Sequence, residues 1–429
     1  MDLVTMAPRG TRDLLPADTL HWQKLEANLR DICRLYHYEE IRTPIFEHTE
    51  LFLRGIGDTT DIVEKEMYTF EDRGKRSVTL RPEGTASIVR AFLQNKLYAQ
   101  AEQPVKLHFM GPMFRYDKPQ AGRFRQFHQF DIEVIGSPMP LADAEVIALA
   151  YQILNKLGLT DLQLWINSVG CPVCRPAYME ELKEYFSSHK DQLCADCLDR
   201  LERNPLRLLD CKNESCQVLT QNAPSILEHL CPECDTHFDS LKALLTASSI
   251  PYGINHRLVR GLDYYTKTAF EIQYAPLGAQ SAVCGGGRYD GLVEECGGDP
   301  TPGVGFAMGF ERILLAMEKQ GLLSDEKAPV SVFVMPLGEK TQLKAFEILQ
   351  DIRNLGISAD IDLLGRGIKG QMKQANRLNC RWAIMIGENE LEQGMITCKD
   401  MIQGDQRTIT LKEFMDWLDD MKEELQWKA

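Results

Sequence analysis

Phe127-His128-Gln129-Phe130-Asp131-Ile132-Glu133-Val134-Ile135 reads as a β-strand, rich in aromatic and β-branched residues and free of glycine and proline. Glu133, near its end, is costly to bury without a partner, so it either meets a ligand or sits on a face open to water. Working outward, Val78-Thr79-Leu80 and Val105-Lys106-Leu107-His108-Phe109-Met110 read as earlier strands, and 269–274 with 281–284 as a later strand pair. Helical apolar spacing marks 84–98 and 142–157, and 19–37 carries Leu20, Leu25, Leu29, Ile32 and Leu35. Residues 38–45 then alternate toward Pro44, an edge-strand signal. Strands in pairs with helices gathered between them predict an α+β fold built on a largely antiparallel sheet.

Residues 170–250 change character: they are helical and charged, with cysteine pairs at the turns. They are expected to form an insertion in a first domain spanning 1–325. The chain turns polar over 322–329, a linker. Beyond it, 330–335 is β-rich, 340–355 helical, 359–363 alternating, 369–379 helical, 382–386 a buried-type strand and 411–424 an amphipathic helix. That alternation predicts a small α/β domain over 329–429.

The 429 residues suffice for two or three domains, and 44% hydrophobic with 26% charged content is ordinary for a soluble globular protein. No apolar run reaches the roughly 18 residues a membrane span needs. Asp2 and the Pro8-Arg9-Gly10 turn do not resemble a secretion signal, so a cytoplasmic location is expected. A net charge of −14 argues against blanket nucleic-acid binding, though not against a local basic face. Cys171, Cys174, Cys194, Cys197, Cys211, Cys216, Cys231 and Cys234 fall mostly in Cys-x-x-Cys pairs, which without a signal peptide favours metal over disulfides. The first two pairs lie close to a zinc-ribbon spacing, and Cys211, Cys216, Cys231 and Cys234 suit a second set; the spacing does not settle which cysteines pair. Structural zinc is the expected metal.

Two dense clusters stand out. Arg260-Gly261-Leu262-Asp263-Tyr264-Tyr265 packs a guanidinium, a carboxylate and two phenols around one glycine. Gly285-Gly286-Gly287-Arg288-Tyr289-Asp290-Gly291 follows. Together they suit a pocket for a small, partly charged planar molecule beside a phosphate. A core strand and a plain glycine loop are the alternatives.

The first cluster resembles a signature of the histidyl-tRNA synthetases, and the second resembles that family's other specific segment. Ala7-Pro8-Arg9-Gly10-Thr11-Arg12-Asp13 resembles the family's opening, and Thr79-Leu80-Arg81-Pro82-Glu83-Gly84-Thr85 its amino-acid-binding loop. Phe114-Arg115 through Arg123-Phe124-Arg125-Gln126-Phe127-His128-Gln129 is similar to motif 2 of class II synthetases. Gly303-Val304-Gly305-Phe306-Ala307-Met308-Gly309-Phe310-Glu311-Arg312 is similar to motif 3. The helix, strand and proline of 19–45 resemble motif 1, which implies a homodimer.

The resemblance implies a class II catalytic domain with a helical insertion, then an anticodon-binding domain. It implies ATP with Mg2+, L-histidine and tRNA(His) as partners. Arg115 and Arg260 would be catalytic cations at the α-phosphate, and Arg312 would hold the terminal phosphate of a bent ATP, with Arg123 also binding ATP. Glu83, Thr85 and Gln129 would receive the substrate's α-amino group. Glu133 and Tyr265 would flank its imidazole, and Tyr289 would close the wall. Gly261 would let the chain pass tightly, while Asp263 and Tyr264 would be structural support. Gln120, Arg123 and Arg125 around the motif 2 loop would meet the acceptor end of tRNA. Arg366, Lys369, Lys373, Arg377 and Arg381 recur at spacings of three and four, so they line a helix face, either a solvated one or one for the anticodon arm.

The chain departs from the family in one place. Asp117-Lys118-Pro119 stands where the family commonly has Glu-Arg-Pro, which shortens a carboxylate and loses a bidentate guanidinium. His128 is not assigned catalysis, because the attacking carboxylate needs no deprotonation. The competing readings are a non-catalytic regulatory subunit of ATP phosphoribosyltransferase and a sensor of uncharged tRNA. The first would lack residues 330–429, and the second would need a partner domain such as a kinase.

Overall fold

The computed structural model describes residues 5–57, 60, 62–324 and 330–422. Residues 325–329 of the expected linker and 423–424 of the last expected helix lie outside it. The chain divides into two compact units, Met1–Ser324 and Asp325–Ala429.

Pro16 in the first turn and Asp18, whose carboxylate accepts the Leu15 N–H at 3.2 Å, start helix α1 (Pro16–Leu35). Next come β1 (Glu39–Glu40), β2 (Phe46–His48), α2 (Thr49–Ile56), β3 (Tyr68–Glu71), β4 (Ser77–Leu80) and α3 (Thr85–Gln94). Then follow β5 (Val105–Phe114), β6 (Gln126–Ile135), α4 (Pro140–Lys156) and β7 (Leu162–Ser168). The insertion supplies α5 (Arg175–Ser187), α6 (Ala195–Arg203), α7 (Glu214–Thr220) and α8 (Pro232–Ala247). The unit ends with β8 (Gly253–Ile254), β9 (Thr266–Tyr274), β10 (Ala282–Arg288), α9 (Leu292–Glu295), β11 (Gly303–Gly309) and α10 (Phe310–Lys319).

An eight-stranded sheet runs β1-β5-β6-β11-β10-β9-β7-β8. Its six inner strands pair antiparallel, and only the two short end strands join in parallel. The α+β expectation is met. The strand expected over 38–45 shortens to Glu39–Glu40, because buried Arg81 takes the carbonyls of Thr43 (2.9 Å) and Pro44 (3.2 Å) that a neighbouring strand would otherwise use.

Alternation along β6 decides what each face does. Phe130, Ile132 and Val134 join a core with Leu25 and Leu29 of α1, Val146 and Ile147 of α4, Leu241 of α8 and Ile313 of α10. Gln129, Asp131 and Glu133 point to the opposite face. Helices therefore seal one side of the sheet and leave the other for a site.

The second unit has β12 (Val332–Pro336), α11 (Gln342–Asn354), β13 (Ala359–Ile361), α12 (Ile368–Arg377), β14 (Trp382–Ile386), α13 (Glu388–Glu392), β15 (Met395–Asp400), β16 (Gln406–Thr410) and α14 (Leu411–Asp420). Its sheet runs β13-β12-β14-β15-β16, parallel over the first three strands and antiparallel over the last two pairings. Ile348 and Ile352 of α11 and Phe414 and Leu418 of α14 pack in one core with it, and Ala375 of α12 packs in another with Phe333 and Met335. No helix among the described residues is long and apolar enough to cross a membrane.

Candidate active site

A cavity of about 430 Å³ lies on the open face of the first sheet. It gathers Glu83, Thr85, Arg115, Arg123, Gln129, Glu133, Arg260, Tyr265, Tyr289 and Arg312, which lie in five separate segments of the sequence.

One end is acidic and buried. Glu83 caps α3, accepting the backbone N–H groups of Thr85 (2.7 Å) and Ala86 (2.8 Å). Thr85 Oγ1 donates to Glu133 Oε1 at 2.7 Å, and the Tyr289 hydroxyl donates to Glu133 Oε2. Burial pushes the Glu133 carboxyl up to about 8, even though those two hydrogen bonds pull it down. Asp131, absent from the sequence-based site, completes the cluster. It is 1% exposed, and neither carboxylate oxygen has a hydrogen-bond partner. Burial, then Glu133 and Glu83, push its carboxyl well above the usual range. Register could have revealed it: Asp131 sits two residues before Glu133, on the same face.

The other end is cationic. Arg115, just beyond β5, is fixed by its Nε bond to Pro82 O at 2.8 Å. Arg260 reaches Glu271 Oε2 at 2.8 Å, and Gln273 holds the other oxygen of Glu271 at 2.6 Å. Arg312, in the first turn of α10, donates to Ala282 O at 2.9 Å. Burial, then the like charges of Arg123 and Arg115, pull the Arg312 guanidinium below its usual range. Such crowding favours a polyanion between these groups.

Missing side chains make room for functional ones. A Cβ on Gly305 would lie 2.0 Å from Glu133 Oε2, one on Gly285 2.2 Å from the Arg260 guanidinium, and one on Gly303 2.1 Å from the Tyr289 ring. The glycine cluster is thus a central strand, β10, not a loop. Gly261 differs from expectation: a Cβ there would meet only Arg207 Nη1, at 3.7 Å, so no tight passage requires glycine. Arg288 also leaves the expected pocket. It is fully buried, paired with Asp143 and with Asp290 (3.1 Å), and bonded to Ser137 O at 2.8 Å.

Arg123 stands at the cavity's rim, paired with Asp117 and, at 3.7 Å, with Glu66. The shorter Asp117 side chain therefore still reaches a guanidinium. Gln120 is exposed at the same turn, bridged to Arg123 through the backbone, and outside the cavity lining. Asp263 accepts from Asn204 at 3.0 Å, and the Tyr264 ring packs 4.7 Å from Tyr265. The His128 ring lies edge-on to Trp22 at 4.7 Å. In the second unit, Lys369, Lys373 and Arg377 are exposed on α12, opposite buried Gln371 and Ala375. Arg366 is paired with Asp362 at 3.2 Å and Arg381 with Asp400 at 3.5 Å. The expected five-residue stripe thus narrows to three exposed cations.

The eight cysteines of the insertion separate into Cys171, Cys174, Cys231, Cys234 and Cys194, Cys197, Cys211, Cys216; within each set the sulfurs lie within 4.8 Å of one another. The pairing left open by spacing is nested. The outer pairs meet each other, and so do the inner ones.

An antiparallel sheet with arginines from a strand–loop–strand element, a signature loop and a first helical turn, all converging on one cavity, defines the catalytic domain of a class II aminoacyl-tRNA synthetase. A family profile described as histidyl-tRNA synthetase matches residues 10–313, and one described as anticodon binding domain matches 331–421. Histidine–tRNA ligases of Desulforamulus reducens and Halothermothrix orenii are 56% and 55% identical to this chain, each covering 96% of it and 98% of the relative. The apo structure of Staphylococcus aureus histidyl-tRNA synthetase superposes with a TM-score of 0.82 at 41% identity, covering 97% of this chain and 100% of that one. The chain belongs to the histidyl-tRNA synthetase family.

Proposed function

We propose that the chain ligates L-histidine to tRNA(His), activating the amino acid with ATP to a histidyl-adenylate and releasing diphosphate, then AMP. One observation carries this reading: a single cavity has three buried carboxylates at one end and converging arginines at the other. The acidic end suits an ammonium and an imidazole, the basic end a triphosphate. Glu83, Thr85, Gln129 and Asp131 receive the α-amino group. Glu133 and Tyr265 read the two imidazole nitrogens, with Tyr289 fixing Glu133. Arg115 aligns the histidine carboxylate with the α-phosphate. Arg260 stabilises charge growing on that phosphate during attack, and Arg312 with Arg123 holds the outgoing diphosphate. The carboxylate oxygens of Glu271 and Glu311, both lining the cavity, are hard donors that fit Mg2+, which supplies further charge neutralisation along ATP.

Gln120 and Arg123 meet the tRNA acceptor end, and in the second domain Lys369, Lys373 and Arg377, with Arg366 at the approach, hold the anticodon arm of the tRNA. The working form is a homodimer, supported by the half-exposed Ile45, Phe46 and Phe70 on and beside the small β2-β4-β3 sheet. A cytoplasmic location fits thirteen free cysteines. The regulatory-subunit alternative is disfavoured by the intact arginine set and the second unit.

Histidine-dependent exchange between ATP and labelled pyrophosphate tests the reading. Purified protein with Mg2+ should exchange with L-histidine and with no other standard amino acid; absence of exchange would remove the enzymatic reading.

A further inference from the structure

We infer that the insertion holds two zinc ions in two nested tetrathiolate sites, and that these sites position the signature loop Arg260–Tyr265. The sulfur geometry points to metal. Cys171 and Cys174 lie 3.6 Å apart, Cys171 and Cys231 3.8 Å, and Cys194 and Cys211 3.8 Å. A disulfide needs about 2.05 Å. Four sulfurs around zinc at about 2.3 Å stand roughly 3.8 Å apart along each tetrahedral edge. Backbone donors already aim at the sulfurs, as a thiolate's charge requires. Cys231 N–H points to Cys174 Sγ at 3.1 Å, Cys194 N–H to Cys216 Sγ at 3.3 Å, and Asn213 N–H to Cys211 Sγ at 3.4 Å.

The outer site joins the chain leaving β7 to the start of α8, closing the base of the insertion. The inner site ties α6 to the turn after Pro205–Asp210 and to α7. The helical part between has a small core of its own, centred on Tyr178, Leu182, Phe186 and Leu201. A core of this size gains from a metal staple.

Each site is one short step from the active centre. Arg175, adjoining Cys174, donates to the Tyr265 carbonyl and, at 3.1 Å, to that of Val169. Arg207, between Cys197 and Cys211, donates to the Arg260 carbonyl at 3.1 Å, and Asn204 donates to Asp263 at 3.0 Å. Asp210 and Lys212, flanking Cys211, line the cavity. The two metals thus fix three side chains that clamp the loop carrying the transition-state arginine and the imidazole-facing phenol. These are positioning roles. This coupling rests on the function proposed above, but the metal content does not.

Metal analysis of the full-length protein, purified without chelator, should find two zinc ions per chain. After exchange with Co2+ the visible spectrum should show the intense bands of tetrahedral cobalt thiolate. The paired change Cys171→Ser with Cys174→Ser should leave one metal per chain, as should Cys194→Ser with Cys197→Ser. Cys171→Ser with Cys194→Ser should weaken both sites. Wild-type protein with under about 0.2 zinc per chain and no cobalt–thiolate spectrum would overturn the metal sites, whatever the variants do. If zinc is bound, removing it by chelation should raise the KM for histidine and lower exchange by about tenfold or more, with return on adding Zn2+. Unchanged exchange after complete zinc removal would overturn the positioning role while leaving the enzymatic reading intact.

Discussion

At the scale of single residues, the site places groups whose charged states are costly until substrate arrives. Glu133 is the clearest case, a carboxyl pushed up to about 8 by burial. Its folded value lies above its unfolded one, so the stability linked to it is full below the unfolded carboxyl range and is lost as pH rises through about 8. Glu133→Gln removes that loss. The unliganded variant should gain stability relative to the parent between about pH 5 and pH 8, by up to about 1.4 kcal/mol per pH unit, then run parallel above that range. Melting temperatures across this window read it directly; a constant difference from pH 5 to 9 would refute it. The same variant should bind histidine about a hundredfold more weakly, since a charge-assisted bond is lost. Arg260 should behave differently. In the role proposed for it, its charge acts as the phosphate becomes more negative, so Arg260→Ala should cut pyrophosphate exchange about a thousandfold while shifting the histidine dissociation constant less than tenfold. Equal losses in both would reassign it to ground-state binding.

At the scale of elements, legibility followed periodicity. α1, β5, β6 and α4 carry long apolar patterns, and each formed where the sequence placed it. β10 and β11 were harder. Gly285, Gly286, Gly303 and Gly305 lack side chains because neighbours occupy that space, and propensity reads such stretches as loops. β16 was missed because its first residues face solvent and leave no alternating apolar signal. Glu133 was legible from its burial cost in a strand and Arg260 from the composition of its cluster, but Glu83, Arg115 and Arg312 only through motif resemblance, since spacing alone cannot bring positions 83, 115, 260 and 312 together. Asp131 escaped because no motif names it. Spacing locates the face of α12 but overextends the basic stripe, because Asp362 and Asp400, which lie outside the acid-free run 365–382, pair with the cations at its two ends. The remaining cations, Lys369, Lys373 and Arg377, stand one turn apart on the exposed side of α12, a spacing that suits the phosphate contacts proposed above. Lys373→Glu should weaken tRNA binding about tenfold at low salt and flatten its salt dependence by about one to two phosphate contacts, while pyrophosphate exchange stays unchanged. Equal tRNA affinity for variant and parent would leave α12 a solvated face.

At the scale of the whole molecule, a chain of net charge −14 must concentrate its attraction for RNA in small regions, and must also cover whatever apolar surface it leaves bare. The register of the small sheet puts Phe46 opposite Leu80, and Phe70 opposite Val78, so all four side chains share one face. Phe46 is 54% exposed and Phe70 49%, although Val78 beneath them is buried. Two half-open phenyl rings over a buried strand mark a surface suited to a second copy, because a twofold contact lets one apolar patch cover its own image. Sedimentation of the parent protein should therefore give twice the chain mass of 48.8 kDa. Replacing Phe46 and Phe70 together with glutamate puts like charges into that contact and should yield a folded single-chain species, with far-ultraviolet circular dichroism unchanged. A double variant that still sediments as the dimer would move the interface elsewhere, and a parent protein that sediments as a single chain would end the dimeric reading altogether.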